Sequence, residues 1–285
     1  MQKLIVLAFI GFVAQLIDGS LGMAYGVSST SLLLMFGVAP AIASASVHMA
    51  EMVTTAAAGF SHWKLGNVDS VIVRRLMIPG SIGAFVGACF LSNLPGEAVK
   101  PYIALFLFLL GFYVIYRFLF AGNIRKKRNR HPGRWTVPLG LFAGFFDSTG
   151  GGGWGPLTTP VLLSHRGTEA RKVIGSVDTS EFAIAVSATL GFLISLGFRD
   201  VDWIWVGALM AGGIVAAPIA AWFVKVIPSY LLGVLVGGLI ININVQTLLS
   251  TIDSIPESWH SFVYGALSVL WVLCLAFAVI RKKRE

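Results

Sequence analysis

Six ionisable side chains lie inside stretches that are otherwise apolar and of membrane-spanning length. They are Asp18, His48, Glu51, Asp147, Asp178 and Glu181. An ionised carboxylate in the middle of a bilayer costs about 2.5–3.5 kcal/mol on insertion scales, so such residues usually face a cavity and act on ions, protons or substrate. The alternative is a protonated carboxyl that only hydrogen-bonds between helices. As a set, the six residues predict transport chemistry inside a membrane.

The same residues occur in two copies of one pattern. Asp18 recurs as Asp147 at an offset of 129, and the pair His48 and Glu51 meets Asp178 and Glu181 at an offset of 130. The glycines around the two aspartates repeat at the offset of 129, and weaker matches continue at 133. Two homologous halves with Gly-interrupted apolar segments are typical of a secondary transporter whose site lies at the repeat interface.

Each half begins with an apolar stretch that glycines interrupt. Residues 3–37 are broken at 18–22, and residues 136–164 are broken at 148–153. The first stretch would be about 52 Å long as one helix, whereas the hydrocarbon core is about 30 Å thick. We therefore predict two helical hairpins, each of two pieces of roughly 15 residues, that return to the side they enter from. The helices that resume after each break would offer unsatisfied N–H groups to an oxyanion, with close helix packing through glycine as the alternative.

We predict that the substrate contacts both breaks and one polar run near the end of the second half. The candidates are Asp18, Gly22, Tyr25 and Ser28 in the first break, then Asp147, Gly150, Gly151, Gly152, Gly153, Trp154 and Thr158 in the second, and Asn242, Asn244 and Gln246 in the polar run. The polar run has no counterpart in the first half, and helix–helix hydrogen bonding explains it equally well.

The pairs His48/Glu51 and Asp178/Glu181 are each three residues apart, so each pair lies on one helix face. We predict that these four residues couple transport to protons, because carboxylates and an imidazole can relay a proton or hold one. A competing interpretation is that the six groups converge as nitrogen and oxygen ligands of a divalent metal. Five of the six are carboxylates, so the pattern is unspecific and we assign no metal ligands.

The composition excludes a soluble domain. Of 285 residues, 56% are hydrophobic and only 12% are charged, which predicts an all-α integral membrane protein. The net charge of +8 comes from basic residues in short connections and at the tail, which argues against a nucleic-acid partner. The two cysteines form no motif, and no Ser–His, Cys–His or metalloprotease pattern suggests an enzyme or a cofactor. We expect a small anion, protons and lipid as partners, and a homo-oligomer stays open.

The basic residues also set the topology. Suppose that both hairpins return to their own side and that seven runs cross the membrane, namely 41–61, 70–92, 98–120, 172–196, 203–224, 229–250 and 259–280. In that arrangement 18 Lys and Arg residues are cytoplasmic and three are outside. The positive-inside rule favours this arrangement, with the N-terminus outside and the C-terminus cytoplasmic. Each half then contains a Gly-broken hairpin and three transmembrane helices. The second half is inverted relative to the first.

The predicted organisation has four parts. They are a first repeat (1–120), a basic cytoplasmic linker (121–135), a second repeat (136–252) and an additional C-terminal helix with a basic tail (253–285).

The stretch Ile17–Met23, its Gly-rich echo Asp147–Pro156 and the duplicated halves resemble the sulfite exporter TauE/SafE family, also called the toluene sulfonate uptake permease family. The resemblance covers about residues 5–280. It implies a permease in the bacterial inner membrane for sulfite, sulfonates such as sulfoacetate, or related anions, with substrate contact at the two Gly-rich breaks. From this we predict an alternating-access carrier that is coupled to protons. The alternatives are a divalent-cation transporter and a passive anion channel.

Overall fold

The computed structural model describes residues 2–23, 25–120, 133, 135–164, 169–197, 201–223, 229–250 and 256–284. Within these ranges the secondary structure is entirely helical. The helices are α1 (Gln2–Leu21), α2 (Tyr25–Met35), α3 (Pro40–Lys64), α4 (Ser70–Ser92), α5 (Gly96–Phe120), α6 (Thr136–Gly150), α7 (Trp154–Ser164), α8 (Ala170–Leu196), α9 (Trp203–Phe223), α10 (Ser229–Ser250) and α11 (Glu257–Arg284). The predicted linker 121–135 lies outside the described residues except for positions 133 and 135.

The helix boundaries follow local sequence signals. Pro40 begins α3, because its fixed φ suits the first turn and it lacks the N–H that would be unpaired there. Asp69 caps α4, since its carboxylate accepts a hydrogen bond of 2.9 Å from the Val71 N–H. The first helices of the two hairpins, α1 and α6, end at Gly22 and Gly151, which both have φ of 67°. Glycine adopts this left-handed conformation at no steric cost, so both breaks occur where the glycines predict them.

Six helices contain stretches that are long and apolar enough to cross a membrane. The stretches are Leu4–Leu21, Ser70–Ser92, Ala98–Arg117, Arg171–Leu196, Trp203–Phe223 and Trp259–Ile280. Outward-facing side chains such as Ile78, Ile194 and Ile204 are 63%, 72% and 65% exposed, as expected of a lipid-facing surface. The chain is an all-α integral membrane protein.

These stretches agree with five of the seven predicted crossings. The two others, 41–61 and 229–250, fall in the more polar α3 and in α10, whose apolar stretch is the shorter Gly233–Leu249. The pieces of the first hairpin are 20 and 11 residues long and those of the second are 15 and 11. The prediction of equal pieces was therefore wrong, and α1 is long enough to span a bilayer.

Equivalent helices of the two halves make reciprocal contacts. Gly11 of α1 packs against Leu209 of α9, and Gly140 of α6 packs against Leu76 of α4. Gly11 and Gly140 correspond at the offset of 129, and Leu76 and Leu209 correspond at 133. The first helix of each half therefore packs along the fourth helix of the other half, with glycine allowing close approach.

The directions of these helices follow from further contacts. Along α1 and α9, Gly19 lies beside Ala220 just as Gly11 lies beside Leu209, so the two helices run parallel. The third helices of the halves, α3 and α8, run antiparallel. Near the end of α3, Gly59 lies against Thr179. Near its start, His48 faces Phe192, with the ring centroids 6.0 Å apart.

The α1–α9 crossing gives a direct stability test. A Cβ placed on Gly212 would overlap the Ala8 carbonyl and lie 2.7 Å from the Phe12 nitrogen, whereas a Cβ on Gly207 would meet nothing within 4 Å. We expect Gly212→Ala to destabilise the protein by about 1–3 kcal/mol, as overpacking does. Its thermal midpoint in detergent should fall by several degrees.

Gly207→Ala is the matched control on the same helix. Alanine favours helix formation over glycine, so its thermal midpoint should stay equal or rise slightly. Equal midpoints for the two variants would show that the helices do not cross at Gly212.

Candidate functional site

The two broken hairpins meet at their glycines. Gly26 packs against Gly152, and Gly155 packs against Gly22 and Met23. The Thr30 hydroxyl donates a 2.5 Å hydrogen bond to the Gly151 carbonyl. Its counterpart, the Thr159 hydroxyl, donates a 2.7 Å hydrogen bond to the Gly22 carbonyl. Each break thus binds the helix that follows the other break, and any side chain larger than hydrogen at these glycines would separate them.

Asp147 closes the second hairpin from inside. Its Oδ1 accepts hydrogen bonds from the Gly153 and Trp154 N–H groups at 2.7 and 2.9 Å. Its own carbonyl accepts from Gly152 at 2.9 Å. The carboxylate therefore caps α7, where an N-terminal helix dipole favours negative charge.

Asp18 occupies the equivalent place in the first hairpin with weaker bonding. Its Oδ1 is 3.4 Å from the Tyr25 N–H, and its Oδ2 has no hydrogen-bond partner among the described residues. The sequence suggested that the N–H groups after each break would bind an oxyanion. In this structure the protein's own aspartates accept from three of them, so these donors are not free.

His48, Glu51 and Asp147 form the first of two charged clusters, called here the His48 cluster. The His48 Nδ1 lies 2.8 Å from the Ser44 carbonyl, so it must carry a proton and donate it. The His48 Nε2 lies 3.1 Å from Asp147 Oδ2 and 3.9 Å from Glu51 Oε2. The contact between Nε2 and Oδ2 needs a second proton, either on the imidazole or on the carboxyl, because two acceptors cannot bond to each other. The cluster therefore holds an exchangeable proton.

Asp18, Asp178 and Glu181 form the second cluster, called here the carboxylate cluster. One oxygen from each carboxyl lies within 4.8 Å of the others. These residues correspond to Asp147, His48 and Glu51 at the repeat offsets, so the clusters are equivalent in position but not in chemistry. Where the first cluster has an imidazole, the second has a carboxyl. Three ionised carboxylates cannot share so small a buried volume, so this cluster requires protons or a cation.

His62 also belongs to the site, although the sequence analysis missed it. It is fully buried in the last turn of α3, and its Nε2 lies 3.1 Å from the Gly19 carbonyl and 3.2 Å from Asp178 Oδ2. The Asn67 amide donates to Nδ1 at 3.3 Å, which assigns the ring proton to Nε2. His62 follows His48 by 14 residues, four turns of helix. This spacing on one face was the signal that could have revealed it.

The clusters form one electrostatic unit shut off from solvent. Asp18, Asp147, His48, Glu51, Asp178 and Glu181 are between 0% and 4% exposed. Glu51 lies close enough to Asp147 and Asp178 for their charges to interact. Glu181 lies close enough to Asp18 for the same electrostatic interaction. Both Glu51 oxygens lack a hydrogen-bond partner among the described residues. Unsatisfied buried carboxyls on this scale indicate a functional site rather than a structural core.

The other candidates of the second break serve mainly structural roles here. The Trp154 indole donates to the Val177 carbonyl at 3.2 Å, and the Thr158 hydroxyl donates to the Trp154 carbonyl at 2.5 Å. A Cβ on Gly150 would lie 2.6 Å from the Phe106 ring. In the first break the hydroxyls of Tyr25 and Ser28 are buried and make no hydrogen bond of good geometry with described residues.

The three polar side chains of the α10 run lie in different surroundings. Gln246 is exposed. Asn242 bonds the Gly238 carbonyl and accepts from Ser268 of α11. Only Asn244 is buried, where it donates to the Ser31 hydroxyl of α2 at 2.8 Å. Asn242 thus contributes to helix packing and Gln246 lies at the surface, and substrate contact by the polar run stays a prediction.

The chain matches the model of the family described as "Sulfite exporter TauE/SafE" over residues 7–247. The chain belongs to the TauE/SafE family. The match runs from α1 into α10 and includes both hairpins and all the residues of the two clusters. A member of this family with several membrane-spanning helices is a multi-pass membrane transporter and not an enzyme.

Two relatives in Bacillus subtilis (strain 168) extend this comparison. The chain is 61% identical to the "Probable membrane transporter protein YtnM" over 281 residues, which is 98% of this chain and 93% of the relative. It is 24% identical to the "Probable membrane transporter protein YdhB" over 236 residues, 81% of this chain and 93% of that relative. No solved structure matches the chain.

The unequal bonding of the two aspartates leads to a stability prediction. Asp147→Ala removes the acceptor of two short backbone bonds and the partner of His48, whereas Asp18→Ala removes one bond of 3.4 Å. Each lost bond to a charged group is worth about 1.5–3 kcal/mol. We expect Asp147→Ala to lower the thermal midpoint in detergent clearly more than Asp18→Ala does. An equal or larger loss for Asp18→Ala would mean that Asp147 does not hold the second hairpin closed.

Proposed function

We propose that this TauE/SafE member is a secondary transporter of a small sulfur-containing anion, sulfite or a sulfonate such as sulfoacetate. It works by alternating access and is coupled to protons. The observation that carries the proposal is the convergence of two buried clusters of titratable side chains beside the place where the two Gly-rich hairpins meet. The family match supports the choice of sulfite, because its description names sulfite export.

Neutral groups bind the anion in this proposal. The buried charged side chains of the described residues include no lysine or arginine. Hydroxyl donors such as those of Tyr25 and Ser28 therefore bind the anion in this proposal. Since Asp18 and Asp147 accept from the N–H groups at the hairpin breaks, those helix ends contribute through their dipoles.

Protons offset the charge of the carboxyls. An anion four ångströms from an ionised carboxylate would be repelled by about 4 kcal/mol at an effective dielectric constant of 20. Binding of the anion is therefore favourable only when nearby carboxyls are protonated, which links the two ligands thermodynamically. His48, Glu51, Asp178 and Glu181 are the proposed proton carriers, and His62 lies beside them at Asp178.

Alternating access requires two gates on opposite sides, and we propose that inverted repeats supply them. Helix directions support this. Since α3 and α8 are antiparallel, α8 ends where α3 begins, and α9 and the parallel α1 start on that same side. The first hairpin thus enters from the side where α3 begins. The second enters from the other side, because α6 runs parallel to α4.

The carboxylate cluster favours a second candidate function, divalent-cation transport. Its three carboxyl oxygens lie within 4.8 Å of one another, and an ion with oxygen ligands at about 2.3–2.6 Å would bridge them. In that case an added divalent metal, not a sulfur anion, would stabilise the purified protein.

Sulfite uptake by the protein reconstituted in proteoliposomes tests the proposed function. Wild-type protein should take up sulfite faster when the outside is acidic, and Asp18→Asn and Asp147→Asn should each lower the initial rate at least about tenfold, the effect of losing roughly 1.4 kcal/mol. Asparagine keeps an oxygen acceptor, so the fold should persist.

Glu169→Gln is the control for this experiment. It removes a carboxylate that pairs with Arg171 at 2.8 Å. This carboxylate is exposed, whereas those of the two clusters are buried. Its rate should equal that of the wild type. Normal uptake by both aspartate variants would show that the hairpin breaks are not the transport site.

The proposed orientation places the N-terminus outside and the C-terminus in the cytoplasm of a bacterial plasma membrane, with Arg281–Arg284 on the positive-inside side. A green fluorescent protein fused to the C-terminus should fluoresce, since it folds in the cytoplasm, and an alkaline phosphatase fused there should be inactive. Active phosphatase with a dark fluorescent fusion would reverse the orientation.

A further inference from the structure

The two halves differ sharply in how well their hairpins satisfy buried polar atoms. In the first hairpin, five buried side chains carry a polar atom with no hydrogen bond of good geometry, namely Gln15, Asp18, Tyr25, Ser28 and Ser29. In the second hairpin, no described side chain of α6 or α7 does so. Buried polar groups without partners are uncommon in native proteins and are usually satisfied by a water, an ion or a ligand.

Three polar side chains of the first half lie at or around Thr54, which follows Glu51 by three residues on α3. They are Gln15 of α1, Tyr25 of α2 and Thr54 of α3, called here the polar cluster. Each is fully buried, and neither amide atom of Gln15 nor the hydroxyls of Tyr25 and Thr54 have a hydrogen bond of good geometry. The Tyr25 hydroxyl lies close enough to Thr54 for a weak hydrogen bond, and it is near the carboxyls of Glu51 and Asp18. Gly213 of α9 packs against Thr54 and lies near Gln15, because a Cβ there would overlap Thr54 and lie 3.7 Å from the Gln15 Cβ.

The repeat offsets map this polar cluster onto an apolar counterpart in the second half. Gln15, Tyr25 and Thr54 correspond to Gly144, Trp154 and Ile184, and Gly213 corresponds to Gly80. The geometry agrees with the sequence, since a Cβ on Gly80 would lie 2.6 Å from the Trp154 ring and 3.1 Å from Ile184. In the second half a tryptophan and an isoleucine therefore stand at the positions that Tyr25 and Thr54 occupy in the first half.

We propose that each chain binds one sulfur oxyanion, at the polar cluster of Gln15, Tyr25 and Thr54, with Glu51 as a protonated donor, and that the apolar counterpart binds none. The proposal rests on the proposed function and names its binding site and stoichiometry. The amide and two hydroxyls supply neutral donors to the anion. Neither Gln15 nor Thr54 was among the residues that the sequence suggested.

The charges around Glu51 require its proton. The titratable groups that face it come from each neighbouring element and are Asp18, Tyr25, His48, Asp147, Asp178 and Glu181. Among them only His48 can be cationic, and its Nε2 lies nearer to Asp147, at 3.1 Å, than to Glu51, at 3.9 Å. No cation is therefore left to offset the charge of an anion bound beside Glu51. The Glu51 carboxyl must then be neutral, and in that form it can donate its O–H to the anion.

The test measures the affinity of the full-length protein in detergent for sulfite and for sulfoacetate by thermal stabilisation, at acidic and at mildly alkaline pH. A ligand that binds only the folded state raises its apparent stability by mass action. Tyr25→Phe, Thr54→Val and Gln15→Leu should each weaken the affinity about tenfold, the value of one hydrogen bond to a charged ligand. Glu51→Gln should retain binding but lose its dependence on pH.

Two further variants serve as controls. Thr55→Val removes a neighbouring buried hydroxyl that bonds the Glu51 carbonyl of its own helix, and its affinity should match the wild type. The double variant Tyr25→Trp, Thr54→Ile copies the apolar counterpart, whose residues already pack together in this chain, and it should fold as a monodisperse peak without binding either anion.

The outcomes separate the two proposals. If wild-type protein is stabilised by neither anion, the proposed function and this inference both fall. If the wild type is stabilised but the polar-cluster variants bind as Thr55→Val does, only the inference is overturned and the anion lies elsewhere. Stabilisation by a divalent metal alone would assign the carboxylate cluster to a cation instead.

Discussion

The structure depends on how charge is neutralised in a place that water does not reach. Six titratable side chains and His62 are buried together, and an ionised group there is costly unless it is paired and hydrogen-bonded. Asp147 meets this requirement with two backbone N–H groups and an imidazole. Asp18, Glu51 and Glu181 do not, because each has at least one carboxyl oxygen without a partner. The protein therefore needs mobile protons, or another ligand, to complete the site.

The similar halves form the scaffold, and the residues that differ between them set the chemistry. The reciprocal bonds of Thr30 and Thr159, and the matched packing of Gly11 and Gly140, hold equivalent hairpins together. At the repeat offset His48 corresponds to Asp178, so the first cluster contains an imidazole where the second contains a carboxyl. Two similar halves with different site residues suit a transporter, because two similar gates can then act on one bound substrate.

The sequence predicted what depends on local pattern and on the repeat. The breaks after Asp18 and Asp147 needed only glycine chemistry, and the equivalent positions of the six ionisable groups in the two halves followed from their paired spacing. Contacts between halves were harder to predict, because no local rule tells which side chain of α8 meets which of α3. His62 was missed for that reason, since its role depends on Asp178 and the Gly19 carbonyl.

For two further expectations the structure shows side-chain directions that the sequence does not display. The Asn242–Gln246 run looked like a polar lining, but the rotation of α10 turns Gln246 outward and Asn242 toward α11. The helix ends at the breaks looked free for an anion, yet the aspartate in the last turn of the preceding helix accepts hydrogen bonds from them. Both depend on side-chain direction in three dimensions, which spacing alone does not fix.

The most direct test of the account is to count protons when the anion binds. Purified protein in a weakly buffered detergent solution with a pH indicator would be mixed with methanesulfonate, whose own charge does not change in the working range. The account predicts that protein takes up protons in step with anion binding, and that Glu51→Gln takes up fewer. Saturable binding of the sulfonate with no change in bound protons would contradict the claim that the buried carboxyls and the anion share one site.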